Sequence, residues 1–113
     1  MTPYDVSEYS YSKDASNDRY LVHHDDEVAG FMSYHRRPDG TVVVDHTIVD
    51  QAHQNQGIAG RLVGFGLRDL EATTEAPIIA TCDYVNLWLR RNPEYAEQLA
   101  ARGHSADQRQ RGR

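Results

Sequence analysis

What the sequence lacks narrows the field first. A single cysteine, Cys82, rules out an intrachain disulfide framework and any zinc site built on several cysteines. No stretch approaches the roughly 20 consecutive apolar residues that a membrane span needs, and Met1 to Tyr20 holds no apolar signal-peptide run. An excess of basic charge is also missing. The formal net charge is −5 and the arginines form no continuous stripe, which speaks against nucleic acid or an anionic membrane as a partner. Neither the G-x-x-x-x-G-K pattern of a P-loop nor the G-x-G-x-x-G of a dinucleotide fold occurs. What remains reads as a soluble, cytoplasmic chain of 113 residues, 39% hydrophobic and 26% charged, expected as a monomer or homodimer. That length supports one sheet covered by two or three helices.

The two ends are polar and aperiodic. Residues 1–17, with Tyr4, Tyr9 and Tyr11 among Ser and Asp, read as a flexible leader, and residues 104–113 as a flexible tail around a domain at 18–103. Within the domain, Arg19 to His23 favours a strand, then His24, Asp25 and Asp26 make a polar break. Glu27 to His35 alternates, with Val28, Gly30, Met32 and Tyr34 on one face and Ala29, Phe31, Ser33 and His35 on the other. Arg37-Pro38-Asp39-Gly40 is a turn, because proline pre-sets its φ and glycine accepts a positive one. Thr41 to Val49 is apolar on both faces, the mark of a central strand covered twice. These three strands predict an antiparallel meander.

The period changes at Gly57. Ile58, Ala59, Leu62, Val63, Gly66, Leu67 and Leu70 share one helical face, with Arg61, Gly64, Arg68 and Glu71 opposite, up to about Thr73. Ala76 to Cys82 is a fourth strand, parallel to the third because a strand–helix–strand crossover is right-handed. Tyr84 to Arg91 makes a short helix. Asn92 caps a further one, with Pro93 in its first turn and Gly103 as its stop. The expected fold is therefore a mixed α/β sheet, a three-stranded meander plus a parallel fourth strand, with helices on both faces.

The segment from His46 to Val63 carries the strongest functional signal. It leaves a central strand, crosses a polar loop and enters a helix N-terminus, where free backbone N–H groups and the helix dipole favour an anion. Gly57 brings the backbone close to such a ligand without a Cβ, and small Ala59 and Gly60 let the first turn approach it. Read from the loop alone, a helix start with glycine for packing explains these residues equally well. Gln54-Asn55-Gln56-Gly57-Ile58-Ala59 also fits the Q/R-x-x-G-x-G/A signature of the GNAT acetyltransferases. H-T-x-V at His46, G-x-A at Gly57, an isolated Cys82 closing the next strand and N-P-E-Y at Asn92 follow in order. Together, over about Tyr20 to Leu99, they resemble the minimal GNAT-like family of small acetyltransferases.

That resemblance implies a shortened fold without the helices that cover substrate in larger members, and acetyl-CoA as co-substrate. It implies a pantetheine arm in a splay between the third and fourth strands, with Val49 offering backbone hydrogen bonds. The amides of Gln54, Asn55, Gln56, Gly57, Ile58, Ala59 and Gly60 would hold the pyrophosphate, and Asn86 would lie near the pantetheine. The sequence departs from the family in Thr-Cys-Asp-Tyr around Cys82 and in Asn92, which leaves the shape of the acceptor pocket open.

Acetyl transfer to a primary amine of a small molecule or peptide needs a base and help for the leaving thiolate. His46, just before the splay, is the candidate base, and a histidine bonded to backbone is the plainer reading of it. Cys82, on the strand parallel to that of His46, is either a thiolate nucleophile giving an acetyl-cysteine or a small buried hydrophobe. Tyr84 is a candidate acid or a core residue. His23 and His24 are not read as a metal site, since adjacent strand residues point to opposite faces. The arginine pairs Arg36-Arg37 and Arg90-Arg91 serve either a CoA phosphate or solvent. Two rivals stand beside the transferase: a non-catalytic acyl-CoA sensor, because an open site holds an acceptor poorly, and an interaction protein docking through its Tyr-rich leader.

Overall fold

The computed structural model describes residues 8–101. Five strands form one sheet in the order β1 (Tyr9–Asp14), β2 (Arg19–His24), β3 (Glu27–Arg36), β4 (Val42–Val49), β5 (Ile78–Ala80). The first four pair antiparallel and β4 pairs parallel with β5, as the crossover rule requires. Helix α1 (Ile58–Thr73) makes that crossover, α2 (Asp83–Arg91) follows β5, and α3 runs over residues 93–101.

The meander is therefore one strand longer than its sequence suggested. Residues 9–14, read as leader, form the edge strand β1, with Tyr9 and Tyr11 facing the core opposite His24 and Val22. The driving force is aromatic burial: Tyr9 is 7% exposed, and Tyr11 packs against the core with its ring 5.9 Å from that of Phe65. Ala15–Asn17, also read as leader, form the 3-10 turn between β1 and β2, while residues 1–7 and the tail at 104–113 lie outside the described residues.

Turn chemistry behaves as the sequence suggests. Gly40, at φ 93°, donates its N–H to Arg37 O at 2.8 Å, and Asp39 Oδ1 accepts from Thr41 N at 2.9 Å. The break after His24 is a two-residue turn with Asp25 in the left-handed region. Asn92 is different. Its carbonyl accepts from Tyr95 N and Ala96 N at the start of α3, but its side chain reaches backward and donates to Trp88 O at 2.8 Å. It closes α2 instead of capping α3 with its amide.

Two bulges decide which side chains face where. Ala29 on β3 and Asp45 on β4 each have no partner in the ladder, so the alternation inverts on passing them. Ala29 is consequently 1% exposed and Val28 45% exposed, the reverse of the faces expected from strict alternation. Met32 and Tyr34 stay buried as expected.

The described helices gather on one face. Leu62, Val63, Leu67 and Leu70 of α1, Val85 of α2 and Leu99 of α3 join Tyr20, Val22, Met32 and Val44 of the sheet in a single hydrophobic cluster. Gly64, assigned above to the outer side of α1, is buried. A Cβ at Gly64 would lie 3.5 Å from the Trp88 ring, and one at Gly60 would lie 3.4 Å from it, so the small residues let α2 lie close against α1. The other face of the sheet presents Phe31, Ser33, His46 and Ile48, and no described helix packs on it. Double cover of β4 holds only at its start, where Val42, Val43 and Val44 are all buried, while Ile48 is 51% exposed. No helix among the described residues is long and apolar enough to cross a membrane.

Candidate functional site

The pairing of β4 with β5 stops early. It covers Val42 with Ile78, Val43 with Ile79 and Val44 with Ala80, then Thr81 N donates to Val44 O at 3.0 Å. Beyond that point the chain turns into α2, while β4 continues to Val49 paired with β3 on one side and with no described strand on the other. The opening between them is the splay that the family resemblance implied. Above it lies a cleft of about 400 Å³, lined by Thr47, Val49, His53, Gln54, Asn55, Gly57, Ala59, Tyr84 and Arg91.

Between β4 and α1 the chain makes a tight turn at Gln51–His53, then passes through Asn55 at φ 65° and Gly57 at φ 80°. Space is not what demands glycine at 57, since an added Cβ would meet nothing within 4 Å; the left-handed backbone is. Among the described residues, the amides of Asn55, Gln56, Gly57, Ile58 and Ala59 donate to nothing, and the first intrahelical bond runs from Arg61 N to Gly57 O. This is the bare helix start that attracts anions. Gln54 behaves differently. Its side chain folds back and donates to Val49 O at 2.9 Å, occupying a carbonyl expected to face the pantetheine arm.

Of the residues singled out in the sequence, Val49, Gln54, Asn55, Gly57 and Ala59 line the cleft. Gln56 is half-buried, Ile58 turns into the core at 1% exposure, and Gly60 sits under Trp88 and Tyr84. Asn86 does not line the cleft. Its Nδ2 donates to Ala80 O at 3.1 Å and Cys82 O at 3.2 Å, pinning the end of β5 to the first turn of α2.

His46 and Cys82 are not neighbours. Residues opposed across antiparallel strands share a face. Thr47 opposes core-facing Met32, and His46 opposes Ser33 on the other side. His46 is therefore exposed on the open face, whereas Cys82 is buried and donates its thiol to Thr47 Oγ1 at 3.6 Å. The inversion at Asp45 produces this separation, and a bulge leaves no mark in hydrophobic periodicity.

Sequence reasoning missed His53. It is 7% exposed beside the cleft, with Nδ1 2.7 Å from Tyr9 Oη and its ring 5.1 Å from that of His24, which in turn meets Glu8 at 3.2 Å. Its only signal was its place inside the loop. Its partner Tyr9 lay in the segment read as leader, so the contact was invisible. Thr47 was missed as well, hidden inside the H-T-x-V string.

A family model described as GCN5-related N-acetyl-transferase matches residues 19–99. The chain belongs to the GCN5-related N-acetyltransferase family. Among solved structures, the diaminobutyrate acetyltransferase of Paenibacillus lautus, held with its substrate L-2,4-diaminobutyric acid and coenzyme A, is 29% identical at a TM-score of 0.52. The match covers 73% of this chain and 51% of that one, so this chain spans about half the length of that protein. A ribosomal-protein-alanine N-acetyltransferase of Brucella melitensis biovar Abortus 2308 is also similar, at 20% identity and a TM-score of 0.44, over 59% of this chain and 50% of its own. No curated protein matches the chain.

Proposed function

We propose that this protein is a cytoplasmic acetyltransferase moving the acetyl group of acetyl-CoA to a primary amine of a small molecule or peptide. One observation carries the reading: the unpartnered amides of Asn55 to Ala59 at the start of α1, beside a cleft of about 400 Å³. Donors fixed by the fold, with a helix dipole behind them, suit a diphosphate and cost no reorganisation when it arrives. The P. lautus enzyme holding coenzyme A supports the same co-substrate here. Gln54 already donates to Val49 O, so the pantetheine arm would share that carbonyl or displace the glutamine from it.

In this reading the amine nitrogen bonds to the acetyl carbon as the C–S bond breaks. The proton lost by nitrogen goes to His46, directly or through a water, and the sulfur takes a proton from Tyr84 in the cleft. For His46 to serve in this way, the acceptor amine must reach the thioester through the splay from the open face. Cys82 offers a second route, in which its thiolate takes the acetyl group first and the amine removes it afterward.

A second reading, an acyl-CoA sensor without turnover, draws on the separation of His46 from Cys82 and on the uncovered face. Two measurements divide the cases. CoA at about 100 times its Kd should add roughly 2.7 kcal/mol of stability, and the absence of any thermal shift would sink both readings. Retained binding with no CoA released across a panel of amines would select the sensor. Turnover that survives Cys82→Ala would leave direct transfer as the route.

A further inference from the structure

The open face carries a polar cluster that the cleft does not use. The bulge at Asp45 turns its carboxylate toward β3, away from the splay. Ser33 Oγ donates to Asp45 Oδ1 at 2.6 Å, and His35 Nδ1 lies 2.7 Å from Asp45 Oδ2. An ionised carboxylate only accepts, so the His35 proton sits on Nδ1 and its Nε2 faces outward. Burial pushes the Asp45 carboxyl up, but the hydrogen bonds from Ser33 and His35 and the charges of His46 and His35 outweigh it and hold it below the usual carboxylate range. Asp45 is thus a carboxylate at physiological pH, with its side chain 23% exposed.

Among the described residues, no lysine or arginine pairs with Asp45, whose charged neighbours are His35 and His46. Arg19, which opposes Ser33 on this face, gives its guanidinium to Asp14 at 2.9 Å and lies over the Phe31 ring. Among the described residues, no group of three His, Cys, Asp or Glu side chains is placed to hold a metal ion. Two of roughly four carboxylate lone-pair sites are used by Ser33 and His35, so others remain for a donor from solution. His46 is at the rim of the splay, where the reacting nitrogen must pass. The Asp45 oxygens lie one strand further in, beside β3.

We infer that Asp45 anchors a second cationic group of the acceptor, so that the substrate is an amine carrying another positive charge a few bonds from its reacting nitrogen. This rests on the acetyl-transfer reading and adds to it the charge class of the acceptor and the residue that selects it. Ser33 and His35 are positioning residues that hold the carboxylate in place. An acceptor with a neutral tail gains nothing at Asp45, and one with an anionic tail is repelled.

The test uses three amines of similar length that differ in the charge of the far end: putrescine, butylamine and γ-aminobutyrate. In the CoA-bound protein, putrescine should shift the amide resonances of Ser33, Asp45 and His46, and Asp45→Asn should abolish those shifts. CoA release from acetyl-CoA should favour putrescine over butylamine by about tenfold in kcat/KM, with γ-aminobutyrate slowest, and Asp45→Asn should flatten the series through KM. Ser33→Ala, a milder change, should flatten it in part, and it stands in if the asparagine variant does not fold. Resonance shifts confined to the cleft side, or a charge order unchanged in both variants, would overturn the inference. Release with a flat charge series would sink the inference and leave acetyl transfer standing. Shifts at Asp45 with no release from any amine would support the site and remove the transferase.

Discussion

The two faces of the sheet are built from the same strands and do opposite things. The covered face is a packed core in which Tyr20, Val22, Met32, Val44, Leu62 and Val63 are 0% exposed. The open face keeps its polar side chains bonded to one another, Ser33 and His35 to Asp45 and Arg19 to Asp14, and leaves Ile48 51% exposed. β4 supplies both. Thr47 and Val49 look into the cleft while His46 and Ile48 look out, so one strand serves the cleft and the open face on alternate residues. The difference teaches that the packed core of this small domain lies on one side of its sheet, and the other side adds little to it.

Mutations that ask the same question of each face should break or sharpen that contrast. The largest gap should come from deleting apolar volume. Leu67→Ala removes a side chain that is 1% exposed and should cost about 2–5 kcal/mol in urea unfolding. Ile48→Ala, half in water already, should stay within about 0.5 kcal/mol. Equal losses at the two positions would mean that the open face is covered in solution.

A smaller effect belongs to the loop that joins the faces. Gly57→Ala meets no steric obstacle, yet φ 80° penalises any Cβ by about 1–2 kcal/mol. The loop should relax away from its anion-binding shape, so CoA affinity measured by calorimetry should fall along with stability. Unchanged CoA affinity would show that these amides do not hold the cofactor. Tyr9→Phe is gentler still. It removes the 2.7 Å bond to His53 and should cost about 1 kcal/mol, with a several-fold weaker grip on CoA, because β1 braces the loop through that contact.

Much of this was legible. β2 to β5 and both α1 and α2 announced themselves through changes of period and through Pro38, Gly40 and Gly57, because local propensity and tertiary packing agree there. β1 was hidden although Tyr9-Ser10-Tyr11-Ser12 alternates cleanly. Serine and acidic neighbours gave it the composition of a leader, and only its pairing with β2 makes those rings worth burying. The bulges at Ala29 and Asp45 were illegible for another reason. An extra residue in a ladder is a property of two strands together, so neither strand's own alternation reveals it. That single blind spot exchanged Val28 with Ala29 and put His46 and Cys82 on opposite faces. The bare helix start at Gly57 could be read because it is a property of the backbone. The open face could not, because it depends on which way side chains point.

The smallest expected effect compares one carboxylate from each face. Asp69 on α1 is pushed up by burial but held below the ordinary range by hydrogen bonds from Tyr20 and Lys13, as Asp45 is by Ser33 and His35. A carboxylate with a depressed folded pKa adds stability that is fully present above its unfolded value, about 3.9, and is lost as pH falls through the folded one. Asn variants cannot titrate and lack that contribution. The melting-temperature gap between wild type and either variant should therefore stand at about pH 5 and narrow as acid takes the pH below about 4. Salt should separate the two. Lys13 meets Asp69 at 2.9 Å with both side chains about a third exposed, so screening erodes that gap, while at Asp45 it erodes only the share owed to His35 and His46 and leaves the Ser33 bond, which involves no second charge. If high salt closes the Asp45 gap as readily, the carboxylate is held by charge rather than by hydrogen bonds, and its geometry on the open face is too loose to select an acceptor.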